Sequence, residues 1–222
     1  MNRFANSWLL LTAILIFPFA FAIGYNIDYS LFGLQVQGVE FEYKELVFGI
    51  AAGVVFLFGA LKATRRWMGL RIVAEKKKFI YSDIISDERK RRVSLYGVLE
   101  IVFLLLFGGY YATLSEYSLY VGLVYFIIAA EHIVHLGLGL GRNLYRIGLT
   151  KKALVAVDRE SRVLFFSGLR KISKHQQTLY FEYKNDLVMH IPMNMIPNET
   201  TFMNELRQVV NPDKVFFEGF EK

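Results

Sequence analysis

The sequence predicts an α-helical membrane protein with four transmembrane helices followed by a small C-terminal β-rich domain. Three observations carry that class. Four apolar runs before Gly141 are long enough to cross a bilayer, which takes roughly 17–25 residues. After Gly141 no such run recurs, and polar and apolar residues alternate as in a soluble domain. The composition agrees: 54% of the 222 residues are hydrophobic, 16% aromatic and 21% charged. That excludes a disordered chain, which would be poor in apolar residues. The absence of cysteine excludes a disulfide framework, a thiolate zinc site and a cysteine nucleophile.

The first span, residues 7–27, carries no charge until its last position is passed. Arg3 and Ala20-Phe21-Ala22 imitate a signal peptide with its cleavage site. The apolar stretch is longer than a usual signal core and Pro18 kinks it without ending it, so it is read as a retained span. The second span, residues 46–63, ends on Lys62, whose amine can snorkel to the interface. The third, residues 95–113, contains Glu100. The fourth, residues 118–140, contains Glu131, His132 and His135. Together with a long basic loop at residues 62–94, they make a transmembrane domain of residues 1–142.

Orientation follows from the 26 basic residues. The N-terminal stub has Arg3 alone. The segment from Asn26 to Glu45 has Lys44 against Asp28, Glu40, Glu42 and Glu45. The loop 62–94 has eleven bases against four acids, the turn between spans three and four has none, and the tail has thirteen. The positive-inside rule then places stub, basic loop and tail in the cytoplasm. Tyr25, Tyr29, Tyr43, Tyr110, Tyr111, Tyr117 and Tyr120 mark the outer aromatic belt, and Trp67 the inner one. Within the basic loop, Ile72, Val73, Phe79, Ile80, Ile84 and Ile85 suit one or two helices lying along the membrane surface. Its charges enforce topology and meet anionic lipid headgroups. No nucleic-acid-binding module accompanies them, so no nucleic-acid partner is expected.

The tail reads as strands and one closing helix. Leu154–Asp158 and Arg162–Phe166 are strand-like runs. Thr178–Lys184 alternates, with Leu179, Phe181 and Tyr183 on one face. Asn185-Asp186 is a turn, Leu187–Ile191 alternates again, and Pro192 stops that strand or places it at an edge. A helix then starts near Asn198 or Thr200, with Phe202, Leu206 and Val209 on one face, and Asn211-Pro212 ends it. Phe216, Phe217 and Phe220 are unusual for a free tail and point to folding back on the domain or docking on the membrane or a partner.

These residues carry a resemblance. Tyr145–Thr150 followed by Lys151–Leu154, and Phe181–Pro192 followed by Phe202–Leu206, are similar to bacterial pleckstrin-homology-like domains of the YcxB-like kind. The resemblance spans roughly Tyr145 to Val210. It implies a half-open barrel closed by one helix over residues 143–222, used for binding or assembly. Taken with the four spans and the charge count, it points to a bacterial cytoplasmic (inner) membrane protein, multi-pass, with both termini cytoplasmic. Five or six strands are countable where seven are usual, and Ser167–Ile172 has to supply the middle of the sheet. The family shares no catalytic residues, so none are carried over.

Ionisable residues within spans are costly and mark functional sites by default. Glu131 and His135 share one face of span four, and Glu100 lies at similar depth if spans three and four pack antiparallel. Two readings stay open. Glu131 pairs with His135, and Glu100 with Arg92 or Lys62, as internal glue. Alternatively Glu100, Glu131, His132 and His135 form a metal or proton site, since two imidazoles and two carboxylates can bind a divalent transition metal. His175 and His190 read as ordinary residues of the tail domain. Gly137, Gly139 and Gly141 give flexible exit from the membrane or close helix packing, as do Gly49, Gly53 and Gly59. The function expected is an assembly, scaffold or interaction subunit without catalysis and without a cofactor. It would have a protein partner or a second copy of itself. The alternative is an intramembrane metal- or proton-handling protein.

Overall fold

The structure is a computed structural model that describes residues 2–25, 29–31, 34–36, 43–210 and 215–219. The chain divides into two compact units, Met1–Thr64 with Gly97–His135 and Arg65–Tyr96 with Leu136–Lys222. Asp28, Glu40 and Glu42, which the charge count uses, Asn211-Pro212 and Phe220 lie outside the described residues.

The first unit is helical. It draws on α1 (Asn2–Tyr25), α2 (Lys44–Ala74), α3 (Asp87–Leu114) and α4 (Leu119–Gly141), with a short antiparallel hairpin of β1 (Tyr29–Leu31) and β2 (Leu34–Val36). Among the described residues α2, α3 and α4 are long and apolar enough to cross a membrane; α1 contributes a shorter apolar stretch, Leu10–Ala22. The helices start and stop close to the expected spans, except that α2 runs eleven residues past Ala63, to Ala74, and α3 begins at Asp87.

Packing in this unit follows small residues and aromatic rings. A side chain on Gly122 would meet the Gly108 carbonyl oxygen at 2.7 Å, so α3 and α4 touch backbone to backbone there. Below that contact Tyr111 stacks on Tyr125, with ring centres 5.9 Å apart and planes 5° apart. Tyr111 is fully buried. It is therefore a core residue and not a member of the outer belt, because its ring has a flat partner on α4. Ser118 Oγ donates to the Tyr111 carbonyl at 2.6 Å and ties the α3–α4 turn. The outward faces carry Leu57, Leu106 and Ile127, all more than half exposed. Such a surface is unfavourable in water and natural in lipid.

The second unit holds two four-stranded sheets. The first, in order, is β3 (Tyr81–Ile84), β4 (Arg146–Leu149), β5 (Ala153–Val157) and β6 (Ser161–Phe165), antiparallel throughout. The second joins β7 (Leu169–His175), β8 (Thr178–Tyr183) and β9 (Val188–Pro192) antiparallel, with β10 (Phe216–Glu218) parallel to β7. Helix α5 (Glu199–Val209) follows β9. Every residue of β5 is buried, as a central strand covered on both faces requires. In β8, Leu179 and Phe181 are fully buried and their neighbours are not, the alternation that the sequence shows. β9 is an edge strand, where Pro192 costs no ladder bond.

One expectation is corrected here. The basic loop does not form surface helices: between the end of α2 and the start of α3 lie one short helical turn, Lys76–Lys78, and strand β3. The reason is a partner far along the chain, since Tyr81 pairs with Leu149 and Ile84 with Arg146. Phe216 and Phe217, after α5, fold back on the domain as part of strand β10, one of the alternatives read from the sequence. Phe216 sits opposite Lys171 in β10, and Glu218 closes an ion pair with Lys171 at 2.5 Å.

Helix α5 starts as its sequence dictates. Asn198 Oδ1 accepts a hydrogen bond from the Thr201 N–H at 3.0 Å, a side-chain cap. Phe202 and Leu206 are fully buried on its inner face, and Phe202 meets the Tyr81 ring edge-on at 5.9 Å. β3 is thus held by hydrogen bonds to β4 and by α5 packing.

Candidate functional site

Inside the helical unit, the ionisable residues come from α2 (Lys62), α3 (Glu100) and α4 (Glu131, His132 and His135). Lys62 is the first base after an apolar run, so its long stem stays among apolar neighbours while its ammonium needs a partner. That partner is Glu100, which accepts a hydrogen bond from Lys62 Nζ on Oε1. His132 Nδ1 lies 3.7 Å from the same oxygen. Lys62 and His132 are buried and Glu100 is nearly so.

The structure thus brings Glu100 and His132 together and adds Lys62. His135 is also buried, and Glu131 is half-buried one helical turn away on the same helix. Of the two partners named for Glu100, Lys62 is the one found; Arg92 pairs with Glu88 at 2.6 Å. Among the described residues no three histidine or acidic side chains are grouped to hold a metal ion. The Lys62 ammonium at Glu100 Oε1 offsets the charge of that carboxylate. What the cluster does offer is a carboxylate, an imidazole and an ammonium within reach of one another, which can hold or pass a proton.

The glycines divide by contact. A side chain on Gly139 would strike the Tyr145 ring, and one on Gly59 would strike Ile128, so close packing explains both. Gly49, Gly53, Gly137 and Gly141 have open space instead. His175 and His190 are exposed on β7 and β9, as read from the sequence; the His190 carbonyl accepts from Arg162 at 3.2 Å.

Sequence reading missed the buried carboxylate of the β domain. Asp158 is 2% exposed at the end of β5. Its Oδ2 accepts from Arg89 Nε at 3.0 Å and from the same guanidinium's terminal nitrogen, and its Oδ1 accepts from the Glu160 N–H at 2.9 Å. The two partners are 69 positions apart in sequence, so no local pattern announces them. Tyr81 is a second such case. Burial, reinforced by the Asp83 carboxylate that its hydroxyl meets at 3.3 Å, pushes that hydroxyl up to about 12.

No family model, no curated protein and no solved structure matches the chain.

Proposed function

We propose that this chain is a four-span membrane protein that presents a pleckstrin-homology-like domain in the cytoplasm as an assembly or interaction module, without catalysis. The observation that carries the reading is the strand plan of the second unit. Strands β3 to β6 form one antiparallel sheet, β7 to β9 an antiparallel part of the other, and α5 follows directly. Seven antiparallel strands before one helix agree with the strand number and the closing helix that the resemblance implies. The strand that the tail alone lacks is β3, supplied from the basic loop. The charge distribution supports a cytoplasmic placement of that loop and of the tail. The bacterial inner membrane is the matching location, with anionic lipids and a protein partner or second copy as binding partners.

The Lys62–Glu100–His132 cluster favours a second reading, intramembrane proton handling, through its buried imidazole 3.7 Å from a carboxylate. Detergent-purified protein separates the two. The assembly reading expects no stoichiometric metal, and a His132→Ala/His135→Ala variant that keeps the oligomeric mass and any co-purifying subunit of the parent. Stoichiometric metal that disappears in this variant overturns it in favour of an intramembrane metal site. Proton uptake by reconstituted vesicles that this variant abolishes overturns it in favour of proton handling.

A further inference from the structure

The β-rich unit contains a recess of about 220 Å³ lined by four guanidinium groups. Two come from the polar start of α3, Arg89 and Arg92, and two from the β5–β6 turn and β6, Arg159 and Arg162. Arg89, Arg159 and Arg162 are held by contacts to other elements. Arg89 is fixed on buried Asp158. The Arg159 guanidinium lies 5.5 Å from the centre of the Tyr96 ring, a cation–π contact. Arg162 donates to the His190 carbonyl at 3.2 Å and stands 3.5 Å from Glu160. Arg92 is tethered to Glu88 one turn earlier on α3.

The charge balance in this recess selects its ligand. The four arginines face two lining carboxylates, Asp158 and Glu160, and Arg92 also pairs with Glu88, which leaves one positive charge in excess. Asp158 presents little charge, because Arg89 and a backbone N–H already engage both of its oxygens. A phosphate monoester carries about −1.5 to −2 charges near neutral pH and offers three acceptor oxygens. Guanidinium forks match those oxygens in pairs. The residues of α3 that line the recess, Arg89 to Tyr96, come directly before the helix's long apolar run in the sequence. A phosphate carried by a membrane lipid is then close along the chain.

We propose that this recess binds a phosphate monoester group, such as the headgroup of phosphatidic acid. The proposal rests on the reading of the chain as membrane-anchored, and it turns the general attraction of the basic loop for anionic lipid into one built site.

Thermal melting of the full-length protein in neutral detergent tests it. The probes are dihexanoyl phosphatidic acid, inorganic phosphate, and dihexanoyl phosphatidylcholine as the zwitterionic control. Phosphatidic acid should raise the melting temperature saturably and phosphatidylcholine should not. The Arg92→Gln/Arg162→Gln variant should weaken the apparent affinity about tenfold or more, the scale of losing charge-assisted hydrogen bonds. Lys151→Gln/Lys152→Gln, which removes two exposed bases on the β4–β5 turn, should leave it unchanged. Arg159→Gln gives the same test should the double variant not fold. Stabilisation by phosphatidic acid alone assigns the phosphate to a lipid; equal stabilisation by inorganic phosphate assigns the site to the free anion, and either supports it. No stabilisation by either probe overturns the proposal, as does an equal loss in the Lys151/Lys152 variant. Failure of the anchor reading is seen separately, as protein that leaves the membrane fraction without detergent.

Discussion

Tyr81 shows how one side chain can tie the β domain together and also set its alkaline limit. Its backbone pairs with Leu149, its ring meets Phe202, and its hydroxyl lies against Asp83. The hydroxyl is displaced upward, to about 12, from an unfolded value near 10. The folded state therefore prefers the neutral phenol. Its contribution to stability is complete below about pH 10 and is lost as pH rises through about 12. The full-length protein should lose thermal stability over that window, and Tyr81→Phe should lose less; parallel curves would exclude this tyrosine as the cause. Lys62 and Glu100 set a second test at this scale. Removing one partner of a buried ion pair strands the other charge and costs about 3–5 kcal/mol, whereas replacing both with apolar groups is close to neutral. Lys62→Met and Glu100→Leu should each lower the melting temperature more than the two combined, as a double-mutant cycle would measure. This pair was partly legible in the sequence, because Lys62 ends the second apolar run and Glu100 lies near the start of the third, so both fall at the ends of their helices that the basic loop joins. Arg89 and Asp158 were not, since nothing near either residue marks a partner so far along the chain.

Legibility among the elements follows the range of the interactions that form them. Strands β5, β6, β8 and β9 and helix α5 declare themselves within a few residues, by alternation, by Asn185-Asp186, and by Asn198 ahead of an apolar helical face. Asp186 indeed takes a left-handed φ of 60° in that turn. β3 does not declare itself. It has four residues, each half-buried, set between a lysine run and a helix start, and only pairing with β4 makes it a strand. β10 is similar, a three-residue strand recognisable only by the parallel edge of β7 that receives it. The consequence is testable. Residues 143–222 alone leave one edge of β4 unpaired and the Phe202 ring without Tyr81. That fragment should melt weakly or aggregate, whereas joining residues 76–86 to its N-terminus by a flexible linker should restore a cooperative transition. Equal behaviour of the two fragments would show β3 to be dispensable. Within the full chain, Phe202→Ala should cost about 3–5 kcal/mol, the usual loss for a fully buried ring. That is a large share of a small domain's stability.

For the whole molecule, connectivity constrains the proposed topology independently of charge. β3 ends just before α3 begins, and β4 begins shortly after α4 ends. The two strands are hydrogen-bonded to each other, so both must lie on one side of the membrane, and α3 and α4 must between them cross it an even number of times. That argument uses no charges. The positive-inside rule supports the proposed cytoplasmic side, because the basic loop and the tail hold 24 of the 26 basic residues. What remains is α1, whose apolar stretch Leu10–Ala22 is shorter than those of α2, α3 and α4. If it crosses, the N-terminus shares the cytoplasm with the tail and Gly38 faces outward. Alkaline phosphatase, active only outside, and green fluorescent protein, fluorescent only inside, decide the matter when fused at Lys222, inserted at Gly38 or placed before Met1. The expected pattern is fluorescence at both termini and phosphatase activity at Gly38. Phosphatase activity at Lys222 would refute the charge assignment and leave the paired-strand argument, which names no side, standing. Phosphatase activity at the N-terminus alone, with Gly38 still outside, would leave α2, α3 and α4 in place and reduce α1 to a helix that does not cross.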